Sequence, residues 1–258
     1  WQPKNGVNLC LNGHSITRTS SDGNSVSSNI PGTIYVDKGV TFKLCDCNGS
    51  GNNNGIITHS VNPKANPALP YVGSGVYING GTLELYGGKI TDNYTGANSS
   101  NGGGVTVSNG TLKQYGGEIT NNKSSTGGGG VLIHDGTAYL YGGKISNNQA
   151  RYGGGVYIYG GGQFYAYGGE IKNNVLTKEG ENADCGGGVY LYRSETSGTN
   201  KNKLHVNGNV QIINNTAADG SENNVYLASY SVDTGGKYVY LSDSMIADGA
   251  LGAAAKIG

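Results

Sequence analysis

Gly75-Val76-Tyr77-Ile78-Asn79-Gly80-Gly81-Thr82-Leu83-Glu84-Leu85-Tyr86-Gly87-Gly88-Lys89-Ile90-Thr91-Asp92-Asn93 decides the architecture, because the chain keeps repeating it. Its opening returns as Gly104-Val105-Thr106-Val107, Gly130-Val131-Leu132-Ile133, Gly155-Val156-Tyr157-Ile158 and Gly188-Val189-Tyr190-Leu191, at steps of 29, 26, 25 and 33 residues. The middle, Thr82 to Ile90, returns as Thr111 to Ile119, Thr137 to Ile145 and Gln163 to Ile171, at steps of 29, 26 and 26. The close, Asp92-Asn93, returns as Asn121-Asn122, Asn147-Asn148, Asn173-Asn174 and a degenerate Asn214-Asn215. Self-similarity at this period marks a solenoid.

Within a unit the apolar positions alternate (Val76/Ile78, Leu83/Leu85, Ile90) between Gly-rich and Asn-rich corners, which reads as three short strands with no room for a helix. Strands this short satisfy their backbones by pairing with the same strand of the next turn. The expected fold is a right-handed parallel β-helix of about 26 residues per coil. Roughly ten coils at about 4.8 Å each would give a rod of about 50 Å. The whole chain, 1–258, reads as one domain, with 1–70 as irregular first coils, 71–227 as regular repeats and 228–258 as an exit strand or cap. Extra residues at Tyr94 to Asn101 and Val175 to Asp184 fall at one corner, and in solenoids the face carrying insertions is often the binding face.

Composition narrows the function classes. Forty-eight glycines in 258 residues exclude a helical bundle, and the lack of a Gly-X-Y period excludes collagen. Seventeen basic residues balance seventeen acidic ones, so no broad field gathers nucleic acid or anionic lipid. No apolar run is long enough to span a membrane, and Trp1-Gln2-Pro3-Lys4 is no signal peptide, so the chain reads as a mature segment or an excised piece.

Stacking turns the alignment into columns. With Leu83 and Leu85 pointing inward, Tyr86, Tyr115, Tyr141 and Tyr167 form one outward file, and Glu84, Lys113, Tyr139 and Tyr165 form its neighbour. A third outward file is expected at Tyr77, Thr106, Leu132, Tyr157, Tyr190 and Tyr226. The tyrosines are candidate binding residues, since a hydroxylated ring suits a wet surface that meets sugar or an extended partner. Equally, they read as ladders that stiffen the sheet, at about 0.5–1.5 kcal/mol per pair. Lys89, Glu118, Lys144 and Glu170 alternate in sign and read as a register lock. Asn93, Asn122, Asn148 and Asn174 read as a corner ladder of stacked amides that tolerate left-handed backbone. Gly127 to Gly130 lacks the following Gly-Lys-Ser/Thr of a phosphate loop, so the glycine runs read as tight turns.

Aligning Leu9-Cys10-Leu11 with Leu44-Cys45-Asp46 places Cys10 and Cys45 in one column, and a Cys10–Cys45 disulfide is expected, with Cys10–Cys47 as the alternative. Closing a loop of about 35 residues contributes roughly 3–4 kcal/mol. Cys-x-Cys without a second regular pair argues against a thiolate metal site, and no metal or cofactor is expected. Cys185 lies far along the rod, outside that bridge. His14, His59, His134 and His205 are dispersed over the coils, and Glu84, Asp92, Asp135 and Glu170 fall in different columns or are charge-paired, so no catalytic set converges.

Leu9-Cys10-Leu11-Asn12-Gly13-His14-Ser15-Ile16, Leu44-Cys45-Asp46-Cys47 and the serial Gly-Gly-Gly-Val-Tyr and Tyr-Gly-Gly-Lys-Ile-Thr-Asp-Asn motifs resemble right-handed parallel β-helix repeat proteins of bacterial cell surfaces, such as those in large secreted or wall-anchored proteins of Gram-positive gut bacteria. More distantly, the chain is similar to the repeats of chlamydial polymorphic outer-membrane proteins. The resemblance spans about residues 5–245 and implies a fragment of a longer extracellular protein, with no shared catalytic motif. The expectation is an adhesin-like, non-enzymatic module that binds glycan or a surface protein, without nucleic acid or membrane insertion. A rigid spacer or end-to-end filament subunit is the first alternative. A polysaccharide lyase or hydrolase is the second, because parallel β-helices also host such enzymes.

Overall fold

The computed structural model describes residues 1–19, 31–47, 55–59, 73–96, 101–177, 185–192 and 202–227, together with the backbone of 239–241 and 256–257. It is a parallel β-helix with four parallel sheets running along the rod. Successive coils meet the three long sheets in the same order, and four of the coils add a strand to the fourth.

The first sheet, here the valine sheet, has seven strands: Gly32–Val36, Ser74–Asn79, Val105–Ser108, Val131–His134, Val156–Tyr159, Val189–Leu191 and Val225–Leu227. The second, the tyrosine sheet, has eight: Asn8–Cys10, Thr41–Cys45, Thr82–Leu85, Thr111–Gln114, Thr137–Leu140, Gln163–Ala166, Lys203–Val206 and Val239–Leu241. The third, the charge sheet, also has eight: Ser15–Arg18, Ile56–His59, Lys89–Thr91, Glu118–Thr120, Lys144–Ser146, Glu170–Lys172, Gln211–Ile213 and Lys256–Ile257. Eight stacked strands at about 4.8 Å make a described rod of roughly 38 Å, shorter than ten coils would give. The last two strands of residues 228–258 pair in register with the preceding coil as a further turn of the same sheets.

A fourth sheet was not foreseen. Tyr94–Thr95, Lys123–Gly127, Gln149–Tyr152 and Val175–Leu176 form a short corner sheet between the Asn pairs and the next Gly-Val. It sits at the corner that takes insertions; the inserted residues 97–100 and 178–184 lie outside the described residues.

The core is the inward half of each alternating strand. Ile34, Val76, Val105, Val131, Val156 and Val189 form one buried file, and Phe42, Leu83, Leu112, Ala138, Phe164 and Leu204 form another. Ala138 stands beside Phe164 in that file, so the small side chain makes room for the large one.

The Asn pairs divide their labour. The first member of each pair, Asp92, Asn121, Asn147, Asn173 and Asn214, carries the left-handed backbone, with φ near 56°. The second member is the ladder and lies inside the rod: Asn122, Asn148, Asn174 and Asn215 are fully buried. Nδ2 of Asn93, Asn122, Asn148, Asn174 and Asn215 donates to Oδ1 of the next amide, ending at Asn224, over 2.9–3.1 Å. The backbone N–H of each amide donates to that same oxygen. Each Nδ2 also reaches a strand carbonyl one coil back, of Ile57, Ile90, Ile119, Ile145 and Ile171 in turn. The sequence reading gave both roles to the second Asn; separating them is a correction.

Candidate functional site

The tyrosine sheet builds the most exposed aromatic surface among the described residues. Because Leu85, Gln114, Leu140 and Ala166 turn inward, the next residue in each coil, Tyr86, Tyr115, Tyr141 and Tyr167, turns out. Their rings stack in file with centroids 4.9, 5.0 and 5.5 Å apart and interplanar angles of 11, 9 and 17°. They remain 36–46% exposed.

A second file stands beside the first. Tyr139 stacks on Tyr165 at 5.0 Å, and Tyr165 stacks on His205 at 4.3 Å. Tyr139 also lies parallel to Tyr141 at 5.8 Å, so the files join into one plate. His205 was missed as a plate residue, although Lys203-Leu204-His205-Val206 aligns with Gln163-Phe164-Tyr165-Ala166 and the structure pairs them in that register. At the other end the second file is charged: Glu84 lies 3.5 Å from both Lys43 and Lys113 and accepts a hydrogen bond from the Tyr86 hydroxyl at 3.1 Å. Burial opposes ionisation of Glu84, but that hydrogen bond and the two lysines outweigh it and hold the carboxyl below its usual range. Partial burial raises Tyr141 and Tyr165, which keeps them as hydroxyl donors.

The stacking changes what the plate can present. An inner ring is sandwiched between neighbours, so the surface offers a row of ring edges and phenol hydroxyls at coil spacing, with open faces only at the ends. Ring edges carry the positive part of the aromatic quadrupole and suit oxygen-rich partners.

The third file of tyrosines is more covered than the first. Tyr77, Thr106, Leu132, Tyr157 and Tyr190 do stack in register. Yet Thr106, Leu132 and Tyr190 are buried, and Tyr157 packs beneath the corner sheet, where a Cβ on Gly127 would strike its ring. Tyr190 joins Leu176, Cys185 and Ala217 in a second apolar cluster, against which Tyr152, Tyr157, Tyr192 and Tyr226 pack. Burial raises the pKa of Tyr157 and Tyr190. Tyr77 is half-buried and stacks on Tyr35 at 5.7 Å. Tyr190 therefore leaves the exposed set and Tyr157 is half-covered, because the unforeseen corner sheet packs against them, whereas Tyr77 is half-buried like Tyr139 and Tyr165.

The charge file is in register as expected, but it closes fewer contacts. Lys89 lies 3.6 Å from Glu118, whereas Glu170 turns to Lys172 on its own strand at 2.6 Å. Among the described residues no ion pair reaches Lys144, so there the alternation acts through register alone.

The disulfide joins Cys10 to Cys47, with Cα atoms 5.8 Å apart, not Cys10 to Cys45. Cys10 and Cys45 are register partners as read, but Cys47, two residues past the end of that register, closes on Cys10, and its backbone N–H donates to the Cys10 sulfur at 2.8 Å. Cys45 keeps a reduced thiol 3.5 Å from the Cys47 sulfur. Among the described residues, Cys10, Cys45 and Cys47 are the one group of three or more His, Cys, Asp or Glu ligand atoms close enough to share an ion. Two of those sulfurs are covalently joined, so as it stands the cluster offers one thiol rather than a ligand set.

Other titratable groups are already engaged. His134 meets Asp135 at 3.3 Å and stacks on Tyr159, and the Asp92 carboxylate accepts from Thr91. His59 is buried and its Nε2 accepts the Tyr94 N–H at 2.6 Å. Burial, with the nearby Arg18 charge, pulls its pKa down to about 4. A shallow cleft of about 280 Å³ runs across three coils at the Asn corner, lined by Asp92, Tyr94, Asn121, Lys123, Asn147 and Gln149 with ladder residues at its floor. Its signal in the sequence was the first residue of each Asn pair, which the left-handed turn pushes outward.

Compared with known proteins, the chain matches no family model, no curated protein and no solved structure, so its functional reading rests on this geometry alone.

Proposed function

We propose that this chain is an extracellular β-helical module of a bacterial surface protein, adhesin-like, that binds a hydroxyl-rich glycan or a partner protein along its tyrosine plate. The observation that carries the reading is the continuous row of stacked rings, four exposed in one file and two half-buried with His205 in the next. A row of phenol hydroxyls and ring edges at coil spacing presents repeating polar contacts to a polymer lying along the rod, and Glu84 with Lys113 adds charged contacts at one end. The plate is held in place before any ligand arrives, so little ordering entropy opposes binding.

Glycan-array binding tests this reading with Tyr139, Tyr141, Tyr165 and Tyr167 replaced by Ala in a single variant. The expected result is a loss of tenfold or more in affinity, about 1.4 kcal/mol, at an unchanged fold. Binding that survives the replacement overturns the site. One observation favours a rigid spacer as the second reading: the rings already use their faces on one another, as a stiffening ladder would. A spacer would leave every glycan on the array unbound.

A further inference from the structure

The three sulfurs at the head of the tyrosine plate carry a chemistry that binding does not use. Cys10 and Cys45 are register partners in the tyrosine sheet, and Leu44 pairs with Leu85, so the outward file continues from Cys45 to Tyr86 and on down the plate. The Cys10–Cys47 disulfide and the Cys45 thiol lie side by side: all three Sγ atoms fall within 4.8 Å of one another. The Cys45 S–H points at the Leu9 carbonyl over 3.5 Å, beside the Cys10 backbone it would have to reach. Cys10 and Cys45 are half-buried, whereas Cys47 is exposed. Asp46 between them is tied to the N–H groups of Gly13 and Gly55, at 2.7 and 2.9 Å, which fixes the backbone from which both cysteines project.

We propose that this cluster is a thiol–disulfide exchange centre in which Cys45 displaces Cys47 from its bridge and delivers a reactive thiol to the exposed position. The Cys45 thiol loses its proton to solvent and the thiolate attacks the Cys10 sulfur. The Cys10–Cys47 bond breaks, the Cys10–Cys45 bond forms, and the electron pair leaves on the Cys47 sulfur, which takes up a proton from water. No net oxidation occurs, so no outside oxidant is required. Geometry selects the product. Parallel register neighbours stand about 4.8 Å apart at Cα, inside the disulfide range, so Cys10 can bridge to its register partner Cys45, and the Cys47 sulfur, 3.5 Å from that of Cys45, is the leaving group. The ligand class of the released Cys47 is any small or protein disulfide or alkylating electrophile that reaches the head of the plate.

The folded, oxidised protein is labelled with iodoacetamide from neutral to alkaline pH, quenched in acid, cleaved before aspartate so that Cys45 and Cys47 separate at Asp46, and mapped by mass spectrometry. Label on Cys47 together with a Cys10–Cys45 bridge, beside label on Cys45 with the Cys10–Cys47 bridge, is the expected result. In Cys45→Ser all label on the three-cysteine cluster is lost. In Cys47→Ser, air oxidation closes a Cys10–Cys45 bridge in the folded chain, which keeps the test decisive if the first variant folds poorly. Label confined to Cys45 at every pH, or a Cys47→Ser variant that stays reduced at Cys10 and Cys45, overturns the proposal.

Discussion

Asn148 shows what one residue contributes. Its side chain accepts from both the backbone N–H and the Nδ2 of Asn122 and donates to the Ile119 carbonyl, all inside the rod. Asn148→Ala strands two buried donors and one acceptor, each costing about 1–3 kcal/mol. A loss of about 3–5 kcal/mol in urea-denaturation stability is expected, far above that of an exposed Asn. His59 supplies a pH dependence. Its folded pKa of about 4 lies below the usual 6.5, so the unfolded chain takes up the proton first. Stability is therefore full above about pH 6.5 and falls as the pH drops toward 4, by roughly 3 kcal/mol in all. Comparing denaturation curves of the native chain and His59→Gln across that window should show the slope vanish in the variant; an equal slope in both would refute the assignment.

At the scale of elements, the Gly-Val and Asn-Asn signatures are two halves of one device. A Cβ on Gly75, Gly104, Gly130, Gly155 or Gly188 would lie 2.6–2.9 Å from the ladder Nδ2 of Asn93, Asn122, Asn148, Asn174 or Asn215. The valine sheet opens on glycine because the amide of its own coil fills that space. Gly130→Ala is expected to cost about 3 kcal/mol or more, since the clash involves the Gly155 carbonyl as well as the ladder. Gly39→Ala meets open space and suffers only from its φ of 77°, at about 1–2 kcal/mol. Thermal melts of the two variants check the ranking. The sequence showed both signatures, their period and the inward and outward sides of the tyrosine sheet, because alternation at Leu83/Leu85 reports burial directly. The coupling was hidden, since glycine and asparagine lie eighteen to twenty-seven residues apart along each coil and only closure of the coil brings them together. The corner sheet escaped for a related reason: Lys123-Ser124-Ser125-Thr126 and Gln149-Ala150-Arg151 carry no apolar alternation, and backbone pairing with the coils on either side makes them strands. Tyr157 and Tyr190 were accordingly read as exposed. At the cysteines, alignment found the right column but not the residue two steps on that competes for it.

For the whole molecule, the amide ladder is a rail with a direction. Every amide-to-amide bond in it runs from a donor to an oxygen on the coil that follows, so its carboxy-terminal end gathers partial positive charge, as the amino end of a helix does. The rail ends at Asn224, whose Nδ2 donates to the Glu222 carboxylate at 2.8 Å. Glu222→Gln should cost about 0.5 kcal/mol and Glu222→Lys about 1–2 kcal/mol, both shrinking with added salt, as equilibrium denaturation in low and high salt would show. The same polarity bears on how the rod is made. A chain synthesised from its amino end always finishes, for the moment, on an amide whose two donors only water can serve. The next coil to emerge carries the oxygen that replaces that water, so each turn is completed by its successor. Elongation runs toward the carboxy terminus while completion is handed backward, one coil at a time.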